Sequence, residues 1–168
     1  MRKDLNPTVL QMPRSGIRVV LDAANKLPDV VYHLEIGQPD LPTPPHIVEA
    51  ARQGYTGYTP NAGFPSLRQA FAARLNAERG LHVDPEQVVV TVGAMGAIFS
   101  ALCATVAPGD EVLIPDPGYP NYLMPVNLLG ARSVTYPLDA GAGFAFRAAA
   151  IEERIGPRTK AIIINSPS

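Results

Sequence analysis

Apolar and polar positions follow two rhythms along this chain. Over residues 13–27, PRSGIRVVLDAANKL, apolar side chains recur at Ile17, Val20, Leu21, Ala24 and Leu27. That spacing puts them on one face of a helix that opens after Pro13 and stops at Pro28. The run VVYHLEI (30–36) predicts a strand. GQPDLPTPP (37–45) has four prolines in nine residues and excludes regular structure. A short helix is predicted over 44–54, with prolines at its start and Gly54 at its end, followed by a loop over 55–63. A second helix over 64–80 carries Leu67, Phe71 and Leu75 on one face and closes at Gly80.

From residue 87 the rhythm changes. Strand QVVVTV (87–92) runs into helix 93–107, and strand EVLIP (111–115) into the loop DPGYPNY and a helix through Leu129. Strand ARSVTY (131–136), a flexible stretch, helix RAAAIEERI (147–155) and strand KAIIIN (160–165) complete the series. Short Val- and Ile-rich runs such as Ala161–Ile164 read as strands buried on both faces, which is the mark of a parallel sheet covered by helices. The expected fold is therefore α/β, a three-layer, mostly parallel sheet with flanking helices. Residues 1–45 lack this rhythm and are expected to form an N-terminal arm and part of a small domain. Residues 46–168 are expected to form the large domain.

Composition narrows the classes. The chain has 168 residues, 46% hydrophobic and 17% charged, with a formal net charge of −1, which is globular and carries no electrostatic case for nucleic acid or an anionic membrane. No apolar run reaches the roughly 18 residues of a spanning helix, and MRKDLNPTVL has basic residues with no apolar core behind them, unlike a secretory signal. Cys103 is the single cysteine, so no internal disulfide forms, which fits a reducing cytoplasm. His33, His46 and His82 have no cysteine or carboxylate at ligand spacing, and no metal site is expected.

Two segments carry candidate chemistry. In TVGAMGAI (91–98) a predicted strand ends, Gly93 makes a tight turn and a helix begins. Its free N–H groups and dipole form an anion site that glycine lets a phosphate approach. The same segment also reads as an ordinary strand-to-helix turn, and its spacing is neither the P-loop nor the dinucleotide fingerprint. In PDPGYPNY (115–122) a stiff loop projects Tyr119 and Tyr122 beyond a strand end, either as a platform for a flat heterocycle or as caps on the core. Both segments lie at strand C-terminal ends, which share one edge of a parallel sheet, where ligands collect. The bland readings elsewhere are a turn for Asp40, a core position for Cys103, and turn positions before a strand for Asp110 and Glu111.

LEIGQPDLPTP, GYTPNAGFPSLRQAFAARL, VVVTVGAMGAIFSALCATVAPGDEVLIPDPGYPNY and TKAIIINSPS, in this order, resemble the class I/II aminotransferases, fold-type I enzymes that use pyridoxal 5′-phosphate. The resemblance runs from about residue 30 to the last serine. It implies transfer of an amino group from an amino acid to a 2-oxo acid, in a cytoplasmic homodimer. It implies that Ala94 and Met95, beside Gly93, offer backbone N–H groups to the cofactor phosphate and that Tyr119 stacks on the pyridine ring. Tyr58 matches the tyrosine that reaches the partner subunit's cofactor phosphate, Gly37 the glycine near the substrate carboxylate, and Tyr122 a polar aromatic behind the site. In the family NSPS continues as NPTG, whose asparagine bonds the cofactor ring oxygen. An aspartate at the ring nitrogen, the Schiff-base lysine and an arginine for the substrate carboxylate follow. Lys3, Lys26 and Lys160 do not match that lysine's context, so no catalytic residue is assigned. The expectation is an N-terminal portion of a longer aminotransferase, inactive as it stands. The alternatives are a non-catalytic interaction module, or a lyase or synthase of the same fold.

Overall fold

The structure, a computed structural model, describes residues 6–29 and 32–166. Two compact units divide the chain: Met1–Gly37 with Ile98–Ser168, and Gln38–Ala97. In chain order the helices α1 (Pro7–Gln11), α2 (Gly16–Ala24), α3 (Pro45–Arg52), α4 (Pro65–Arg79) and α5 (Gly93–Thr105) come first. Then follow β1 (Glu111–Asp116), α6 (Leu123–Leu128), β2 (Arg132–Asp139), β3 (Ala145–Phe146), α7 (Ala148–Glu152) and β4 (Thr159–Ile162).

The sheet order is β3-β2-β1-β4. β1 pairs parallel with β2, from Glu111 opposite Arg132 to Asp116 opposite Pro137, and parallel with β4 on its other side. Only the short β3 runs antiparallel, against β2. A central strand has both faces covered, which is why Val112, Leu113 and Ile114 are an unbroken apolar run. Alternate side chains take opposite faces. Val112 and Ile114 pack with Leu102, Val106, Tyr122 and Val126 from α5, its C-terminal end, and the α6 region. Leu113 packs on the other face with Tyr136 and Ile151 of α7. Helices thus cover both faces, and the expected three-layer α/β architecture is the one found.

The N-terminal edge of the sheet is closed by charge. Glu111 is buried in β1, and its Oε1 accepts from Arg132 at 2.6 Å and Arg158 at 3.0 Å. The hydrogen bond from Arg132, then that from Arg158, holds its carboxyl below the ordinary 4.5 against the opposing effect of burial. Glu111 is therefore the first residue of the strand expected over 111–115, with two arginine partners, and not a turn residue before it.

In the other unit, Arg68 of α4 is buried and donates from Nε to the carbonyls of Pro85 (3.1 Å) and Val88 (3.0 Å), with Glu86 at 2.9 Å from its Nη2. Gly80 ends α4 in the left-handed conformation, φ 63°, as expected of a closing glycine.

Four local expectations are corrected. Residues 87–92 form no strand: Pro85–Gln87 is a 3₁₀ turn, and beyond it Val90 donates to the Ala62 carbonyl in a loop contact. A β-prone sequence becomes a strand only with a ladder partner, and Val89 and Val92 here stand exposed. In the run 30–36, Val30 and Val31 lie outside the described residues, while Tyr32 to Ile36 are irregular and Tyr32 and Leu34 exposed. Cys103 is exposed, since α5 turns Ile98 and Leu102 inward and is too apolar all round for its sequence to show which face is buried. β4 is not buried on both faces, because it lies at the edge of the four-stranded sheet and leaves Ile162 partly exposed.

Candidate functional site

The C-terminal edge of the sheet carries one candidate region. After β1 the chain turns at Gly118, where a Cβ would stand 2.3 Å from the Pro115 carbonyl oxygen, so only glycine makes this turn. The turn delivers Tyr119 to the surface and sends Pro120–Tyr122 into a 3₁₀ turn leading to α6. The Tyr119 ring is half-exposed and meets Tyr122 edge-to-face, centroids 5.6 Å apart and planes at 83°. Its hydroxyl accepts from Asn121 Nδ2 at 2.7 Å.

Behind it the second tyrosine is buried, and its hydroxyl donates to Asn165 Oδ1 at 2.9 Å. The aromatic loop after β1 is thereby tied to the segment leaving β4. Tyr136 of β2, also buried, donates to the Ile163 carbonyl at 2.8 Å. Burial, and then the neighbouring phenol in each case, pushes both hydroxyls above the ordinary 10.0. They remain neutral donors at neutral pH. Sequence reasoning missed Asn165 and Tyr136. The available signal was position: each closes a predicted strand at the same sheet edge.

Tyr119 also lines a cavity of about 300 Å³ with Ser15, Ile17, Arg18, Ile36, Asn121 and Met124. Ile36 precedes Gly37, which has φ 66° and open space where a Cβ would be. The structure therefore brings the residue next to Gly37 to the same hollow as Tyr119.

A separate candidate region lies in the unit Gln38–Ala97. Gly93, Ala94 and Met95 are the first turn of α5, a helix of 13 residues whose first N–H groups have no partner within the helix. Gly93 has φ 67° and no atom within 4 Å of where a side chain would start. Thr91 Oγ1 donates to the Gly93 carbonyl at 3.0 Å and steadies the turn. Thr59, Pro60 and Asn61, directly after Tyr58, line a hollow of about 390 Å³ with Val90, Thr91 and Val92, directly before Gly93. The Tyr58 side chain is fully exposed. Gly63, at φ 91°, backs this hollow against Val90, whose Cγ2 leaves only 2.6 Å for a Cβ.

Lys160 lies near the start of β4, level with Glu111 at the opposite sheet edge from Tyr119. Lys26 follows α2, and Lys3 lies outside the described residues. Among the described residues no group of three His, Cys, Asp or Glu side chains could hold a metal ion, and no helix is long and apolar enough to cross a membrane.

Comparison with known proteins agrees with this architecture. The family profile described as aminotransferase class I and II matches residues 29–168. The aspartate/prephenate aminotransferase of Thermus thermophilus is 37% identical over 168 residues, 98% of this chain and 40% of that protein. The structure of aspartate aminotransferase from Thermus thermophilus with maleate superposes with a TM-score of 0.90 at 39% identity, over 100% of this chain and 46% of that one. That of alanine aminotransferase from Pyrococcus furiosus gives 0.89 at 31% identity, over 97% and 44%. The chain spans about two-fifths of the length of the curated relatives it matches.

Proposed function

Since the chain belongs to the class I and II aminotransferases, we propose that it serves the transfer of an amino group from an amino acid to a 2-oxo acid, with pyridoxal 5′-phosphate as cofactor. The observation that carries this reading is the open start of α5 at Gly93. A left-handed glycine with nothing where its Cβ would be leaves room for a phosphate against the helix amides, and the helix dipole favours the negative charge. The half-exposed Tyr119 ring, held by Tyr122 and Asn121, fits the flat face of a heterocycle. When bound, pyridoxal phosphate supplies an electron sink for charge that develops at the substrate α-carbon.

The chain's own groups have these roles. Amides of Gly93, Ala94 and Met95 hold the phosphate, and Tyr119 orients the ring. Tyr122, through Asn165, keeps the Tyr119 loop fixed to the end of β4. Gly37 gives the substrate carboxylate room. Tyr58, fully exposed beside its hollow, reaches toward the cofactor phosphate of a second copy, and the reading extends to a homodimer. The single cysteine supports a cytoplasmic setting. Lys160 sits at the wrong sheet edge to shuttle a proton at the α-carbon, so none of the described lysines is assigned that step and the chain alone is expected not to turn over. A lyase or synthase would use the same cradle, but the relatives' names favour transfer.

The test uses pyridoxine 5′-phosphate, which has no aldehyde and so cannot react with surface lysines. Titration into the chain should quench tyrosine fluorescence saturably, and inorganic phosphate should compete. Tyr119→Leu should remove most of the quench, and Gly93→Val should weaken binding about tenfold or more, as expected for losing roughly one charge-assisted contact. A quench indifferent to both substitutions would sink the reading.

A further inference from the structure

We propose that the N-terminal edge of the sheet binds a phosphate group between Arg132 and Arg158, with Lys160 beside them. The site is built from residues that the aminotransferase reading does not use, and it does not depend on that reading.

Three strand starts meet at this edge. Backbone bonds fix the roots of both arginines against β1: Glu111 N–H donates to the Arg158 carbonyl at 2.8 Å, and Arg132 N–H to that of Asp110 at 2.8 Å. The guanidiniums converge on a single atom, Oε1 of the buried Glu111, which Arg132 reaches through Nη2 and Arg158 through Nε. The two cations therefore lie within two hydrogen-bond lengths of each other, held together by one carboxylate. A guanidinium has five N–H donors, and among the described residues each of these side chains spends one. The side chains are 64% and 67% exposed, so the remaining donors are open to a ligand from solvent. Lys160 is the residue passed over where the pairing of β1 with β4 shifts register between Glu111 and Val112. It is exposed, and its ammonium has no partner among the described residues. Asp110 is the other carboxylate beside these residues in sequence, and its Oδ2 accepts from the Ala107 N–H at 2.8 Å. Three cations against two carboxylates leave one positive charge uncompensated. A phosphate group answers both features. Its oxygens accept from two guanidinium forks at once, where a planar carboxylate fills one, and its charge offsets the surplus. Glu111 holds the forks in place beforehand, so little side-chain freedom is lost on binding.

The experiment follows the full chain by NMR, observing the Nε–H signals of Arg132 and Arg158 while inorganic phosphate is added at constant ionic strength. Both signals should shift saturably, at a concentration about tenfold or more below that needed with acetate or chloride, as charge-assisted contacts to a dianion require. Gly93→Val, which opposes phosphate at the start of α5, should leave these shifts unchanged. Arg132→Lys and Arg158→Lys keep a cation for Glu111 but lose the fork, and each should weaken phosphate binding about fivefold or more. The amide signals of Val112 and Leu113 report whether the sheet is intact in both variants. Lys160→Gln changes an exposed side chain without a partner, so it should weaken binding about threefold and leave the thermal midpoint unchanged. Glycerol 2-phosphate identifies the source of the phosphate group: affinity equal to that of the free ion assigns the site to phosphate monoesters, and much weaker affinity assigns it to the free ion. Equal response to acetate or chloride, shifts that vanish in Gly93→Val, or phosphate affinity unchanged in both arginine variants overturns the proposal. If neither arginine variant folds, unchanged affinity in Lys160→Gln overturns it.

Discussion

Tyr122 brings a hydroxyl into an apolar cluster of Leu102, Val106, Val112, Ile114 and Val126, and a buried hydroxyl without a partner is destabilising. Asn165 Oδ1 at 2.9 Å supplies the acceptor, so the bond both satisfies the phenol and fixes the loop behind Tyr119. Ionisation would set a phenolate against that amide oxygen and the core. Its folded ionisation point accordingly lies above 10.0, from burial first and Tyr119 second. Because the folded value is raised, this contribution to stability is fully present below pH 10 and lost as pH rises through the raised value. Tyr136, bonded to the Ile163 carbonyl, follows the same logic. Tyr122→Phe should lower stability at pH 7 by about 0.5–1.5 kcal/mol, the usual worth of one such bond. It should also delete one phenol from the late absorbance step at 295 nm that accompanies alkaline unfolding. Denaturant melts at pH 7 and an alkaline titration check both. A variant with unchanged stability and an unchanged late step would show that the bond does not form in solution.

At the scale of the element, β1 is fixed at one end by packing and at the other by charge. Glu111 accepts from Arg132 on β2 and from Arg158 just before β4, so one carboxylate joins three strand starts. Its ionisation is held below 4.5, so the stability it contributes is complete above that value and is lost as pH falls through the lowered one. Thermal melts from pH 7 to pH 3 should show a fall in midpoint beginning below about pH 4.5. Glu111→Gln should start from a lower midpoint at pH 7 and flatten that fall, and an undiminished acid-side slope in the variant would assign it to other carboxylates. The sequence shows β1 itself, because Val112, Leu113 and Ile114 form a short apolar run that fits a strand covered on both faces. It does not show this cluster, whose arginines lie 21 and 47 positions away. Val88, Val89 and Val90 mislead for a related reason: local propensity favours a strand, but a strand is a relation between two segments, and here the contact made is a loop bond to Ala62.

Over the whole molecule the same distinction separates what could be read from what could not. Gly93 and Tyr119 announce themselves locally, as a glycine at a helix start and a ring in a proline-rich turn. Asn165 matters only through its approach to the Tyr119 loop, from 43 residues downstream for the bond to Tyr122. The apolar periodicity of α4 likewise names a face without naming what covers it. Leu67 and Phe71 lie one turn apart on that face, yet both are about half exposed, and with Val88, Val89 and Val90 they line an apolar hollow of about 230 Å³. Of α4 only Arg68 and Ala72 are buried. Contiguous exposed apolar surface of this kind binds hydrophobic dyes and drives association. The chain alone should therefore enhance anilinonaphthalene sulfonate fluorescence and elute earlier in size exclusion as its concentration rises. Phe71→Ser with Val89→Thr should reduce both effects and change stability by no more than about 1 kcal/mol, since neither side chain is buried. A sharp, concentration-independent dimer peak that survives the double substitution would point to a defined interface elsewhere on the chain and would remove this face as the cause of association.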